Sequence, residues 1–396
     1  MKKLSVARFV WIQLIVLSLA HFVADVFAGL LPVIMPAIQI RFGFSMTTGI
    51  VLISIMNIVC NFIQICTGHT RGNNEKPLLL PIGLLLLGCV CLIALLPAQS
   101  YSFWLMVPLI LVSGVGIGIM HPESLRAVHS LENIPPSLAS SIFLNGGYLG
   151  YSMGGWICAM LITALGFHGL LCLLVLPAIA FAGIYLTKIK LAVENDSNKP
   201  MQVNHKIEQF GFMFIMMMAI PATTAPTLLC ALLPQRIHQL GLALDFGGLT
   251  VMFLACGTVL GTFFWSWVAH KKGELAALIV SLLLGVPFLY AYLVLMKNNY
   301  ALAFLFMAGF NSGSAYPLIV TLARYAKGLS LGGRMGFVIG GAWGVASLIL
   351  WIMAPVVEHF GIEPILFATP MFYMFAAVIG LNMVMLKRKN RRLYAS

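Results

Sequence analysis

The stretch FVWIQLIVLSLAHFVADVFAGLLPVIM, residues 9–35, contains Asp25 as its one formal charge and His21 as its one other titratable group. At 1.5 Å per helical residue it extends for roughly 40 Å, more than the ~30 Å hydrocarbon core of a bilayer. It reads as a transmembrane helix. Lys2, Lys3 and Arg8 precede it in the manner of a secretion leader, yet no small-residue cleavage site follows, so a retained first helix is expected.

The remainder of the chain repeats this pattern. With 61% hydrophobic and 9% charged residues, 396 residues cannot fold in water without exposing large apolar patches, so the bilayer has to be the solvent. Apolar runs predict twelve spans, near 9–35, 47–68, 78–96, 103–128, 138–165, 170–187, 210–233, 246–268, 275–295, 300–323, 334–357 and 364–386. Lys and Arg test that count independently, because they concentrate in cytoplasmic loops. With both termini inside, 20 of the 23 basic residues fall on the cytoplasmic side, and Arg41, Arg236 and Lys297 fall outside. An error of one span would exchange the sides of all later loops and destroy this asymmetry. The net charge of +12 is therefore a topology signal, and no nucleic-acid surface is expected. All eight cysteines lie within apolar spans and none forms a CxxC pair, which gives neither a disulfide framework nor a zinc motif.

The polar stretch 188–209 divides six spans from six, giving an N-terminal bundle over 1–187, a cytoplasmic linker over 188–209 and a C-terminal bundle over 210–396. A shift of 198 residues places Pro36 on Pro234, Gly43 on Gly241, Gly49 on Gly247 and Arg126 on Arg324. Weak six-plus-six symmetry of this kind is what secondary transporters show, with solute sites near mid-membrane. No nucleotide-binding loop points to ATP use, and no nucleophile constellation or two-histidine metal motif points to an enzyme.

Two carboxylates, Asp25 and Glu123, lie well inside hydrophobic sequence. Each is too costly there to be retained without a partner, a proton or a water-filled cavity. His21 and Asp25 are i, i+4 on the first span and share one face, so they can exchange a proton; a proton-coupling pair is expected, against the alternative of a buried structural hydrogen bond. The fourth span carries His121, Pro122, Glu123 and Arg126, and the i, i+3 spacing of Glu123 and Arg126 allows an ion pair. Arg126 is expected either to meet an anionic group of the solute at a gate or to close the helix end as a salt bridge. His21, Asp25, His121 and Glu123 are also of a type that ligates divalent ions, but sequence does not show whether spans 1 and 4 meet, so no metal and no cofactor is assigned. On span 7, Pro221 and Pro226 flank Thr223 and Thr224, from which a broken helix is expected. Tyr148, Tyr316 and Trp343 are candidate cavity walls.

The segment from Gly114 through Gly116, Gly118, His121-Pro122-Glu123 and Arg126, followed by Leu138 to Asn145-Gly146-Gly147, resembles the fosmidomycin-resistance branch of the major facilitator superfamily. His21, Asp25 and the stretch from Gly29 through Pro36 to Phe42 are similar to that branch's first helix. The resemblance implies an all-α major facilitator fold, twelve helices in two six-helix repeats, in a bacterial inner membrane. It implies a monomeric, proton-driven exporter of a small polar solute by alternating access, with Asn145 joining His121, Glu123 and Arg126 as candidates for gate or solute contact. The sequence departs from the superfamily pattern at Gly68-His69-Thr70-Arg71-Gly72-Asn73, which lacks the usual Asp. It departs again at Tyr151, where a span 5 motif has proline, and at Ile110, where arginine is common. Import of a metabolite or metal chelate is therefore the alternative to export.

Overall fold

The computed structural model describes residues 2–70, 76–131, 134, 136–191, 210–329 and 331–393, so Arg71, Gly72, Asn73 and most of the expected linker lie outside the described residues. Among the described residues there is no β-strand. A bilayer offers no hydrogen-bond partner to a peptide group, which leaves the helix to satisfy the backbone. In the first part of the chain these helices are α1 (Lys2–Phe42), α2 (Met46–Thr70), α3 (Leu79–Leu87), α4 (Phe103–His129), α5 (Pro136–Leu165) and α6 (Val175–Thr187). They continue as α7 (Phe212–Gln239), α8 (Leu244–Lys272), α9 (Glu274–Leu295), α10 (Ala301–Ala308), α11 (Ala315–Arg324), α12 (Leu331–Gly336), α13 (Ala342–Phe360) and α14 (Ile362–Leu393).

Ten helical runs are long and apolar enough to cross a membrane, and the apolar Leu79–Leu95 is shorter than a usual span. One of the ten, Leu138–Thr187, is 50 residues long and turns back on itself. Gly166 has φ +63°, and a Cβ on Gly169 would stand 2.3 Å from the Leu161 carbonyl oxygen. Residues eight apart in a straight helix are roughly 12 Å apart, so the chain reverses at Gly166, between the expected spans 138–165 and 170–187. The expected twelve spans require both that this run is divided and that the shorter Leu79–Leu95 is counted as a span.

The 198-residue repeat has a local conformational counterpart. Gly43 and Gly241 both adopt positive φ, +69° and +75°. After each, an amide bonds back five residues, Phe44 to the Gln39 carbonyl at 3.0 Å and Leu242 to the Ile237 carbonyl at 3.2 Å. Gly49 and Gly247 then donate to the carbonyls of Ser45 and Ala243, at 3.1 and 3.3 Å. Each residue of the first turn has its equivalent at the same offset in the second. An L side chain is strained at that φ, so glycine is retained in both copies.

The chain resolves into two compact units, Met1–Pro200 with Pro234–Met252, and Met201–Leu233 with Phe253–Ser396. Within the first, Gln39 Nε2 donates to Gln235 Oε1 at 3.5 Å, and a Cβ on Gly248 would stand 2.7 Å from the Trp156 Cα. Its densest packing joins α1 to α5. Cβ atoms on Gly146, Gly150 and Gly154 would lie 2.7, 2.1 and 2.4 Å from the carbonyl oxygens of Ser18, Phe22 and Val26. Both series advance by four residues, so one helical row of α5 lies flush against one row of α1, as small residues permit in membranes. On α4, Gly114 and Gly118 meet the Met56 and Cys60 carbonyls of α2, while Gly116 meets Leu87 of the third span. The hydroxyl of Ser113 donates to that residue's carbonyl at 2.6 Å.

Within the second unit, α7 runs unbroken past Pro221 and Pro226. The expected break is absent: both prolines lie within one continuous helix, in which the Thr223 and Thr224 hydroxyls bond back to carbonyls of the preceding turn. Thr223 also donates to the Ala342 carbonyl at 3.1 Å, tying α7 to α13. Two π turns interrupt the later helices, Gly309–Gly313 and Phe337–Gly341, a distortion frequent at functional positions.

Candidate functional site

Asp25 lies 17 residues from either end of the span Arg8–Phe42, at the middle of α1. Its carboxylate meets two histidines. His121 Nε2 lies 3.0 Å from Asp25 Oδ1, and His21 Nε2 lies 3.4 Å from Asp25 Oδ2. The imidazole rings are edge to face with centroids 5.0 Å apart. All three side chains are largely shielded, His21 at 5% exposure, Asp25 at 15% and His121 at 23%.

The outer nitrogens settle the tautomers. His21 Nδ1 lies 2.9 Å from the Phe143 carbonyl oxygen, and His121 Nδ1 lies 2.9 Å from that of Ile117. A carbonyl only accepts, so both Nδ1 atoms carry and donate a proton. Each Nε2 is therefore either a bare lone pair or the second N–H of an imidazolium. A bare lone pair cannot bond a carboxylate at 3.0 Å, because both would be acceptors. The His121–Asp25 contact must hold a proton, on the imidazole or on the carboxyl. The same reasoning leaves room for a second proton at the longer His21–Asp25 contact.

Neighbouring elements fix this geometry. Phe143 of α5 stacks on the His21 ring at 4.1 Å, and its carbonyl receives the Nδ1 proton. Gly147, one turn further along α5, passes directly over the cluster. A Cβ there would stand 2.4 Å from His21 Cε1, 2.5 Å from Asp25 Oδ2 and 2.6 Å from His21 Nε2. Any side chain at 147 would fill the space beside the two acceptor atoms.

Of the residues singled out from sequence, His21 and Asp25 do share a helix face, and spans 1 and 4 do meet. The structure regroups span 4, however. His121 belongs with Asp25, whereas Glu123 belongs with Arg126, whose Nη1 lies 3.5 Å from Glu123 Oε1. Glu123 is buried, Arg126 sits in the last turn of α4, and the close cluster of candidate ligands comprises His21, Asp25 and His121 without Glu123. Asn145 follows Phe143 on α5, and its Oδ1 is buried without a hydrogen-bond partner among the described residues. Tyr148 is half-buried next to Gly147. In the second unit, Tyr316 Oη donates to the Val338 carbonyl at 3.1 Å and its ring packs edge-on against Trp343 at 5.3 Å. Phe143 and Gly147 were not legible as site residues, although the Gly146-Gly147 pair announces a close helix approach.

Comparison with known proteins gives two relatives. The chain is 26% identical over 169 residues to an uncharacterized MFS-type transporter, YfnC, of Bacillus subtilis (strain 168), a match covering 42% of this chain and 40% of that protein. It is 24% identical over 360 residues to the fosmidomycin resistance protein of Escherichia coli (strain K12), which covers 88% of this chain and 86% of that protein. The chain is thus similar to a named MFS-type transporter and to a named fosmidomycin resistance protein. No family model matches it. The helical architecture, with no strand among the described residues, agrees with a major facilitator fold, and the similarity to these proteins supports a membrane transporter.

Proposed function

We propose that this major-facilitator relative is a proton-coupled secondary transporter that exports a small anionic or zwitterionic solute by alternating access. It acts as a monomer in the bacterial inner membrane with both termini in the cytoplasm. The observation that supports the coupling role is the 3.0 Å contact between Asp25 Oδ1 and His121 Nε2, which calls for a shared proton. Losing it sets a lone pair against a carboxylate at 3.0 Å, and that repulsion drives α1 and α4 apart. Gaining it restores a charge-assisted hydrogen bond, worth about 1.5–3 kcal/mol. Proton occupancy is thus converted into a preference between two arrangements of two helices, as a coupled transporter requires. The bodies that move are the halves 1–187 and 210–396, joined through 188–209. Glu123 and Arg126 form the gate at the cytoplasmic end of α4, where the guanidinium can change partner from Glu123 to an anionic group of the solute. Asn145, whose buried Oδ1 has no hydrogen-bond partner among the described residues, is the group on α5 assigned to the solute itself.

The test uses inside-out membrane vesicles from cells producing the chain, with labelled fosmidomycin and small organic anions as probes. Accumulation driven by respiration and collapsed by a protonophore supports the reading. Accumulation indifferent to the protonophore removes the proton, and accumulation only in right-side-out vesicles reverses the direction.

A further inference from the structure

We propose that His21, Asp25 and His121 form a binding site for one divalent ion of the zinc, cobalt and nickel class, occupied in place of the shared proton. Two imidazoles and one carboxylate are the donor set such borderline ions take, whereas magnesium and calcium favour oxygen-only sites. Around a tetrahedral ion with bonds of about 2.0–2.1 Å, ligand atoms stand roughly 3.3 Å apart. Asp25 Oδ1 to His121 Nε2 is 3.0 Å and Asp25 Oδ2 to His21 Nε2 is 3.4 Å, and the three candidate ligand atoms lie within 4.8 Å of one another. Closure of the widest separation by at most about 1.5 Å, from 4.8 Å to roughly 3.3 Å, completes three corners.

One further feature points the same way. Both Nδ1–H groups are tied to backbone carbonyls, of Phe143 and Ile117 at 2.9 Å, which is the outer-shell arrangement that aims Nε2 at a metal and fixes the ring. Gly147 packs against the cluster: a Cβ there would stand 2.5 Å from Asp25 Oδ2 and 2.6 Å from His21 Nε2, so only glycine leaves these two ligands in place. The ion and the shared proton use the same Nε2 lone pair and exclude each other, so the ion holds α1 and α4 together and stops the cycle. The inference shares its residues with the coupling role but not its test. Ion binding without proton-driven flux, or the reverse, separates the two.

The experiment is equilibrium binding of Co²⁺ and Zn²⁺ to the purified full chain in detergent after chelator treatment, with the Co²⁺ ligand-field spectrum as a readout of geometry. One ion per chain with a tetrahedral spectrum is expected. His121→Gln should weaken binding by roughly 100-fold or more, because removal of outer-shell support alone costs 10–100-fold. Gly147→Ala keeps every ligand and should weaken binding or change the spectrum by displacing His21 and Asp25. Thermal unfolding of each variant reports whether it remains folded. No ion bound by the wild-type chain, an octahedral spectrum, or unchanged binding in both folded variants would overturn the proposal.

Discussion

Gly150→Ala is the sharpest probe of how the site is assembled. The added Cβ would stand 2.1 Å from the Phe22 carbonyl oxygen and 2.8 Å from the Phe22 Cα, both backbone atoms that cannot rotate away. Ordinary contact begins at 3.4 Å, so α1 and α5 must part by 3.4 − 2.1 = 1.3 Å. The bond from His21 Nδ1 to the Phe143 carbonyl crosses the same interface, and 1.3 Å added to its 2.9 Å exceeds hydrogen-bond reach. Overpacking of this kind costs about 1–3 kcal/mol and the lost bond about 0.5–1.5 kcal/mol, giving roughly 2–4 kcal/mol in total. Scanning fluorimetry of the purified protein should show a clear fall in unfolding temperature, and proton-driven flux should fall with it. Gly336→Ala is the control, since no atom lies within 4 Å of its Cβ position, and it should be neutral. Wild-type unfolding temperature and flux in Gly150→Ala would refute the α1–α5 register and the site built upon it.

Gly43→Ala and Gly241→Ala should each destabilise by about 1 kcal/mol, because both force a side chain into the left-handed region with no contact to relieve it. Unequal losses in chemical unfolding would undo the equivalence of the two turns. A double-mutant cycle of Glu123→Gln and Arg126→Ala should give a coupling energy of about 0.5–3 kcal/mol in thermal unfolding, whereas additive effects would mean that the 3.5 Å pair contributes nothing.

Hydropathy and charge made the spans legible because each depends on its own residues and on which side of the membrane they lie. The repeat was legible at Gly43 and Gly241 for the same reason, since a helix-ending turn leaves its mark on one residue. His21 and Asp25 were legible as a pair through their spacing within one helix. The partner of Asp25 on α4 was not, as 96 residues separate it from His121 and spacing carries no information across helices. Local spacing instead grouped His121 with Glu123 and Arg126, of which only the last two are bonded. The prolines of α7 misled because proline removes a backbone bond without specifying whether the rest of the helix will hold. The glycines of α5 declared a close approach, but only the structure identifies Ser18, Phe22 and Val26 as what they approach.

The central claim is that the proton shared by Asp25 and His121 drives the solute cycle. Proteoliposomes containing wild-type chain or Asp25→Asn, with solute flux and proton flux recorded together under an imposed pH gradient, test it most directly. Asn fits the same volume and can still bond His121, so folding should persist. Coupled fluxes are expected in the wild type and, in Asp25→Asn, solute flux that no longer responds to the gradient and carries no protons. Undiminished coupled flux in Asp25→Asn would contradict it.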